Sequence, residues 1–427
     1  MWYNFKMINV KDNIRIAIPD YPKLIIDILN KNGFDAYIVG GCVRDNILGK
    51  MPDDYDITTN AKPEEIKKLF KRTIDTGIKH GTVSVLFYEN NKPLTYEVTT
   101  FRIDGEYADN RHPKDVVFVD NLREDLLRRD FTINAMAYND EKGLVDIFGG
   151  VCDLNNKLIR AVGNPTERFT EDALRLLRAI RFSAKLGFDI EKETNNAIKK
   201  LAPRLESVSK ERVEAELTKT ITSMHPEYVS KIFNLGLSKY ICKDFDSVKT
   251  GSFLPYLPTH LAYSCLFYYE DVYRAEEMLK SLRMDHNTIF MVKSLLEAKE
   301  FYGKIYRCKN DIDFTILIKE LINLLKYDLT YDFIKLISIN ENDKKLIKKI
   351  KTTVDKFKIE NCPIFTSDLK VNGNDVMRCG FTGKEIGMVL ENLQKIVHKN
   401  RTYNDKEKLE TIIKKVYNNY KGVTYEL

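Results

Sequence analysis

Two aspartates one residue apart, Asp54 and Asp56, follow a glycine pair and an arginine in the stretch GGCVRDNILGKMPDDYDITT, residues 40–59. Side chains two apart on a strand share a face, so a strand through YDIT presents both carboxylates together. Such a pair repels itself unless a cation joins it. Mg²⁺, a hard ion, takes carboxylate oxygens and keeps positions for water and phosphate. Asp53 precedes the strand, and Glu97, mid-strand in TYEVTTF with Thr99 on its face, is the candidate third carboxylate of a two-metal site. An acidic edge strand would carry the same DxD pattern. The glycines separate the two readings. Gly40 and Gly41 follow the apolar run DAYIV and open a helix, a turn at which backbone N–H groups approach phosphate. Arg44 adds a cation one turn on. Glycine turn, Arg44 and DxD within 17 residues point to a nucleoside triphosphate with Mg²⁺. No GxxxxGK[ST] occurs, which excludes a P-loop.

A second cluster lies in the helical stretch ERFTEDALRLLRAIRF, where Arg175, Arg178 and Arg181 recur every three residues. With Asp172 they form a polar stripe opposite Leu174, Leu177 and Ile180. Their charge exceeds that of the nearby acids, and a fixed row of guanidinium groups suits triphosphate oxygens. Asp172 and Arg175 add a base-reading possibility. Cytosine and adenine both present an exocyclic amine beside a ring-nitrogen acceptor. A carboxylate accepts from the first and an arginine donates to the second, whereas uracil and guanine would leave buried groups unpaired.

The elements that must position these residues are legible. Leu24, Ile25, Ile28 and Leu29 set a helix over 20–32 with Gly33 as its C-cap. DAYIVGG reads as a strand, CVRDNILG as a short helix closed by Gly49, and YDIT as a second strand. Pro63 opens a further helix. TVSVLFYENNKPLTYEVTTFRI reads as two strands about an Asn-Asn turn. Residues 20–150 thus predict a small mixed α/β domain. From about 160 to 355 the apolar spacing is helical. CPIFTSDLKVNGNDV is a Pro/Gly-punctuated break, and a last helical segment follows to 427. The aromatic run YSCLFYYEDVY reads as core packing, with stacking on RNA as the lesser alternative.

Bulk properties agree with an intracellular enzyme. At 427 residues the chain exceeds one compact core. No apolar run spans a membrane and no secretory leader is evident, which predicts a cytoplasmic protein. Its seven cysteines form no CxxC pair and its six histidines are scattered, so reduced thiols and no zinc site are expected. A net charge of +6 favours a polyanionic partner weakly; lysines crowd the C-terminal third.

Together GGCVRDNILG…DYDITT, TIDTGIKHGTVSV, YEVTTFR, LRRDFTINAMAY, DIFGG, RFTEDALRLLRAIRF and SKERVEAEL resemble successive motifs of the class II tRNA nucleotidyltransferases, which include CCA-adding enzymes and bacterial poly(A) polymerases. The resemblance is dense over residues 20–220 and resumes at LKVNGNDV. It implies an α+β, seahorse-shaped protein: a nucleotidyltransferase head over 1–158, then an all-helical neck (159–222), body (223–360) and tail (361–427). Asp54 and Asp56 would ligate metal. Gly41, Arg44, Arg129 and Asp130 would line the nucleotide site. Asp172 and Arg175 would read the base, with Glu171 orienting Arg175, while Arg178 and Arg181 would hold triphosphate or primer. Arg212 and Glu216 would be structural. The implied reaction adds C, C and A to the tRNA 3′ end from CTP and ATP, with two Mg²⁺ ions. Addition of A alone, with a partner enzyme adding the cytosines, is the alternative, and poly(A) synthesis a lesser one. The segment 101–119, with Asp104, Asp109, Arg111 and His112, is intact, against a CC-only enzyme. TGIKHGT stands where the poly(A) branch carries a basic GRRF-like stretch. Monomer and homodimer stay open.

Overall fold

The computed structural model describes residues 14–105 and 116–420. They fall into two compact units, one of Met1–Ser247 with Leu254–Leu257 and Ser281–Met284, the other of Val248–Phe253, Pro258–Lys280 and Asp285–Leu427.

The first unit begins with α1 (Asp20–Lys31), which buries Ile25, Ile26 and Leu29. Nine strands follow: β1 (Ala36–Val39), β2 (Ile57–Thr59), β3 (Thr73–Gly77), β4 (Thr82–Glu89), β5 (Lys92–Thr100), β6 (Arg102–Asp104), β7 (Val116–Phe118), β8 (Ala137–Asn139) and β9 (Gly143–Val145). Seven of them form one sheet in the order β3-β4-β5-β2-β1-β8-β9. Only β2 and β5 pair in parallel within it. Every residue of β1 is buried, as its unbroken apolar run requires at the sheet centre. Tyr37 and Val39 pack with Phe101, Leu126, Ala135, Ala137 and Val162. The Asn-Asn turn joins β4 to β5 with Asn90 and Asn91 both at positive φ (50° and 62°), the geometry that matches strand twist in a two-residue hairpin. β6 and β7 form a separate ribbon. Residues 106–115 between them, which include Asp109, Arg111 and His112, lie outside the described residues.

The strand expected at YDIT is shorter. β1 ends at Val39 because Gly40, at φ +82°, turns the chain into α2 (Gly41–Ile47). β2 therefore pairs with β1 only over Ile57–Thr59. Asp54 and Asp56 lie in the lead-in to β2, where the Asp56 carbonyl accepts the Val39 N–H at 3.0 Å. The parallel register Ile57↔Val98 sets Glu97 beside Asp56 one step earlier.

Helices α3 (Pro63–Leu69), α4 (Leu122–Leu127) and α5 (Gly150–Asn155) complete the sheet region. Then come α6 (Pro165–Glu171), α7 (Arg175–Leu186), α8 (Lys192–Leu201) and α9 (Lys210–Ile221). This stretch, expected to be wholly helical, contains one exception: Leu158–Ile159 pairs in parallel with Asp189–Ile190. The sequence ERFTEDALRLLRAIRF is likewise two helices, parted at Asp172. The Asp172 carboxylate accepts the Leu174 N–H at 3.0 Å, an alternative to the helical ladder that short acidic side chains favour.

The second unit is helical. Its longest element, Asp311–Asn340, is broken at Lys326 (φ 59°, ψ 172°). The helix Lys344–Ile359 follows it. Helices Gly373–Arg378, Lys384–Lys399 and Lys406–Tyr420 close around Val376, Leu393, Leu409 and Ile413. YSCLFYYEDVY divides: Tyr263, Phe267 and Tyr268 are core, but Tyr269 and Tyr273 are 61% and 70% exposed. No helix among the described residues is long and apolar enough to cross a membrane.

The N-terminus of α5 sits against the turn before β8 so closely that a Cβ on Gly150 would lie 2.5 Å from the Thr132 carbonyl oxygen and 2.8 Å from Met136 Cγ. We expect Gly150→Ala to destabilise the first unit by about 1–3 kcal/mol, the usual cost of overpacking. A lower urea midpoint at unchanged m-value checks it.

Candidate active site

A cleft of about 480 Å³ opens in the first unit where Gly40, Gly41 and α2, the lead-in to β2, the segment after α4, α7 and Arg212 of α9 converge. Of the eleven residues anticipated from the sequence, ten line it: Gly41, Arg44, Asp54, Asp56, Arg129, Asp130, Asp172, Arg175, Arg178 and Arg181. Glu97 does not. Eight cationic side chains face four carboxylates in the lining, so the cleft suits a polyanion.

At the glycine turn, the absence of a side chain on Gly40 makes room for Arg129, whose Nη1 would stand 3.0 Å from a Cβ there. Arg129 in turn donates to the fully buried Asp125 at 3.3 Å. Burial would raise the Asp125 carboxyl, but Arg128 and Arg129 outweigh it and hold it below its ordinary value. Arg44 is buried and largely engaged. Its Nε and Nη2 donate to Asp45 at 2.8 and 2.9 Å and its Nη1 to Asn134 at 2.5 Å. It therefore braces α2 against the Thr132–Asn134 turn, with two of its five donors left for a ligand.

Asp54 and Asp56 both line the cleft. Asp56 is open to solvent yet crowded by protein. That crowding, then the negative charges of Asp54 and Glu97, pushes its carboxyl up to about 6 against the pull of Arg129. Such a pair carries a charge deficit that the protein's own cations leave uncorrected, and the donors are hard carboxylate oxygens. They fit Mg²⁺, which is commonly held by one or two carboxylates while water and phosphate complete its shell. Among the described residues no three His, Cys, Asp or Glu side chains converge as a ligand set. Glu97, the candidate third carboxylate, does not line the cleft; β5 carries it one strand over, beside Asp56, whose carboxyl its charge helps to raise.

The arginines of α7 are tied by acids. Arg178 grips Asp130 with Nε and Nη2 at 2.8 and 2.5 Å. Arg181 pairs with the buried Glu216 at 2.7 Å, and Arg178 lies 4.0 Å from the same carboxylate. Both guanidinium groups lie over the Phe182 ring, at 5.4 and 4.0 Å. Burial acts to raise the Asp130 carboxyl, but Arg178, the Asn134 amide and Arg175 override it and hold it down to about 2. Burial depresses Lys185, with Arg44 and Arg181 adding to the effect against Asp45 and Asp53.

At the far end the break between α6 and α7 turns Asp172 into the cleft. Its second oxygen accepts from Arg212 Nη2 at 2.9 Å. Arg175 is clamped: Nη1 donates to Glu171 at 2.7 Å and to the Arg168 carbonyl at 3.1 Å, and Nη2 to the Arg128 carbonyl at 2.8 Å. An acceptor and a donor, each held by neighbouring groups, thus line the same cleft. Sequence reasoning missed Arg128, Asn134, Phe182 and Lys185 and assigned Arg212 to structure alone. Lys185 lies one turn beyond Arg181 and extends the arginine stripe, a signal that could have found it. Asn134 reaches Arg44 from 90 positions away, and Arg212 reaches Asp172 from 40, which no local pattern encodes.

The depressed Asp130 carboxyl contributes stability that is fully present above about pH 4 and is lost as pH falls toward 2. We expect Asp130→Asn to destabilise the protein at pH 7 by about 3 kcal/mol, the lower end for breaking a buried ion pair. The difference from wild type should shrink as thermal unfolding is followed from pH 5 toward pH 3.

Residues 36–160 match the poly A polymerase head domain, and residues 187–249 match a family described as the probable RNA and SrmB-binding site of polymerase A. The chain is 36% identical over 420 residues to the CCA-adding enzyme of Ligilactobacillus salivarius, covering 96% of this chain and 98% of that one. Over 220 residues, 52% of each chain, it is 48% identical to the CCA-adding enzyme of Enterococcus faecalis. The crystal structure of the Bacillus stearothermophilus CCA-adding enzyme in complex with CTP superposes with a TM-score of 0.77 at 27% identity, over 95% of this chain and 100% of that one. Full-length similarity of this kind, on a cleft built from the same motifs, makes the chain a member of the class II tRNA nucleotidyltransferases, the family of CCA-adding enzymes and bacterial poly(A) polymerases.

Proposed function

We propose that the protein adds C, C and A to the 3′ end of tRNA from CTP and ATP, without a nucleic-acid template, in the cytoplasm. The observation that carries this reading is that Asp172, an acceptor, and Arg175, a donor, line the same cleft as Asp54 and Asp56. The names of its relatives and the CTP bound by the Bacillus enzyme support it.

The residues divide the work along the cleft. Asp172 accepts from the exocyclic amine of C or A and Arg175 donates to the neighbouring ring nitrogen; Arg212 and Glu171 fix the two. Arg178, Arg181 and Lys185 face the triphosphate. The glycine turn admits phosphate close to backbone, and Arg129 stands over it. The RNA 3′-hydroxyl attacks the α-phosphate in line and pyrophosphate leaves. Asp54 and Asp56 would hold Mg²⁺, two ions being the expectation, whose charge neutralises phosphate and acidifies a hydroxyl. Head (1–158) and neck (159–222) supply this chemistry, while body (223–360) and tail (361–427) bind the RNA, largely through phosphates.

The test is product sequencing. Three tRNA transcripts, ending at the discriminator base, after one C and after two, are incubated with CTP, ATP or both. Growth to CCA followed by arrest supports the reading. Adenine added only to the CC-ended transcript makes it an A-adding enzyme, and long adenine tracts place it in the poly(A) branch.

Two variants follow from the division of roles. Asp54→Ala should abolish incorporation while leaving tRNA affinity within a few-fold, measured by filter binding. Arg212→Ala frees Asp172 and should lower discrimination between CTP and UTP by about ten- to a hundredfold, the scale of one charged hydrogen bond. Competition kinetics with both triphosphates reads this ratio.

A further inference from the structure

The second unit holds a groove that this chemistry leaves unused. Its volume, about 970 Å³, lies at the upper end of the range of about 300–1,000 Å³ for small-molecule sites. Four tyrosines line it. Tyr268 and Tyr302 are 3% and 9% exposed, whereas Tyr269 and Tyr306 are 61% and 64% exposed. Tyr268 and Tyr269 meet edge to face at 5.2 Å, and Tyr302 and Tyr306 are tilted at 6.4 Å. The buried pair is fixed. The Tyr268 hydroxyl donates to Glu341 at 2.5 Å, and the Lys299 ammonium donates to the Tyr268 carbonyl and lies 5.0 Å from its ring. The other two rings keep much of their surface in water, beside an aromatic floor that is already assembled.

The surface continues into cations. Tyr306 and Asp343 also line a neighbouring cleft that contains Lys309 and Lys349. Asp343 caps the helix Lys344–Ile359 by accepting the Leu346 N–H at 2.9 Å. On this helix Lys349 pairs with Asp311 at 2.7 Å, while Lys344, Lys345, Lys348 and Lys351 are exposed and make no ion pair among the described residues. Open aromatic faces beside unpaired lysines are the combination that holds unpaired nucleotides, the rings stacking bases and the cations tracking the backbone. Glu341 and Asp343 offer acceptors to an exocyclic amine, and Lys299 and Arg307 in the same lining balance their charge.

We propose that the tyrosine groove takes an unpaired nucleotide of the RNA substrate, its base against Tyr269 and Tyr306 and its flanking phosphates on the lysines of the adjoining helix. The inference rests on RNA being the substrate. It assigns RNA recognition to residues distant in sequence from both matched family segments.

The experiment measures binding of a tRNA transcript lacking CCA to the full-length protein by fluorescence anisotropy over a series of salt concentrations, for wild type, Tyr269→Ala, Tyr306→Ala, Tyr306→Phe and Lys348→Ala. CTP affinity and light scattering serve as controls. Each tyrosine-to-alanine change should weaken tRNA binding about tenfold without altering the salt slope. Tyr306→Phe should keep wild-type affinity, and Lys348→Ala should lower the slope by about one. CTP affinity should not change in any variant. Wild type that completes CCA while both alanine variants bind tRNA normally overturns the groove assignment and leaves the proposed function standing. Wild type that neither binds nor extends tRNA overturns both. Tyr306→Phe as weak as Tyr306→Ala overturns stacking. Loss of a dimer in the alanine variants at unchanged tRNA affinity gives the groove to a second copy of the chain and likewise overturns the proposal.

Discussion

The grip of Arg178 on Asp130 is the interaction on which the cleft depends. It joins the segment that follows α4, whose Arg129 stands over the glycine turn, to α7, which carries the arginine row. Asp130 is buried while Arg178 keeps a partly exposed edge, so it is the carboxylate that cannot stand without its partner. The chain of alternating charge continues through Glu216 to Arg181, with Phe182 beneath both guanidinium groups. Alternation allows several arginines to crowd one wall without mutual repulsion, while the lining as a whole keeps its positive surplus.

This arrangement also separates two kinds of carboxylate. Asp125, Asp130 and Glu216 are paired with arginines and brace the wall of the cleft. Among the described residues no arginine is bonded to Asp54 or Asp56, and these are the groups proposed to hold a cation. The same residue type is thus assigned to frame or to chemistry by whether an arginine reaches it, not by its own sequence neighbourhood. Asp172 stands between the two classes: Arg212 fixes one oxygen and the Leu174 N–H the other, yet the carboxylate still lines the cleft.

What the sequence made legible follows from the range of the interactions involved. The turn at Gly40, the helices α1 and α2, the Asn-Asn hairpin and the aspartate pair are local, and their residue types declare them. The start of β2 was not, because it depends on where β1 stops. Nor was the break at Asp172, since the apolar spacing runs through it unbroken. Glu97 was placed by strand position, but whether it joins the pair depends on the sheet's lateral spacing. The bracing of Arg44 by Asn134 and of Asp172 by Arg212 joins distant stretches, and the exposure of Tyr269 and Tyr273 within an apolar-looking run is set by which helix faces pack.

The parting of α6 from α7 has an evolutionary consequence. A continuous helix would keep residue 172 in register with its neighbours on one surface. The interruption instead sets its orientation through the backbone. If the carboxylate is what tells one base from another, then preference resides in local chain geometry as much as in side-chain identity. Lineages can then drift in the nucleotide they accept through changes that move the interruption, with every lining residue preserved, and a catalogue of those residues alone would miss the divergence.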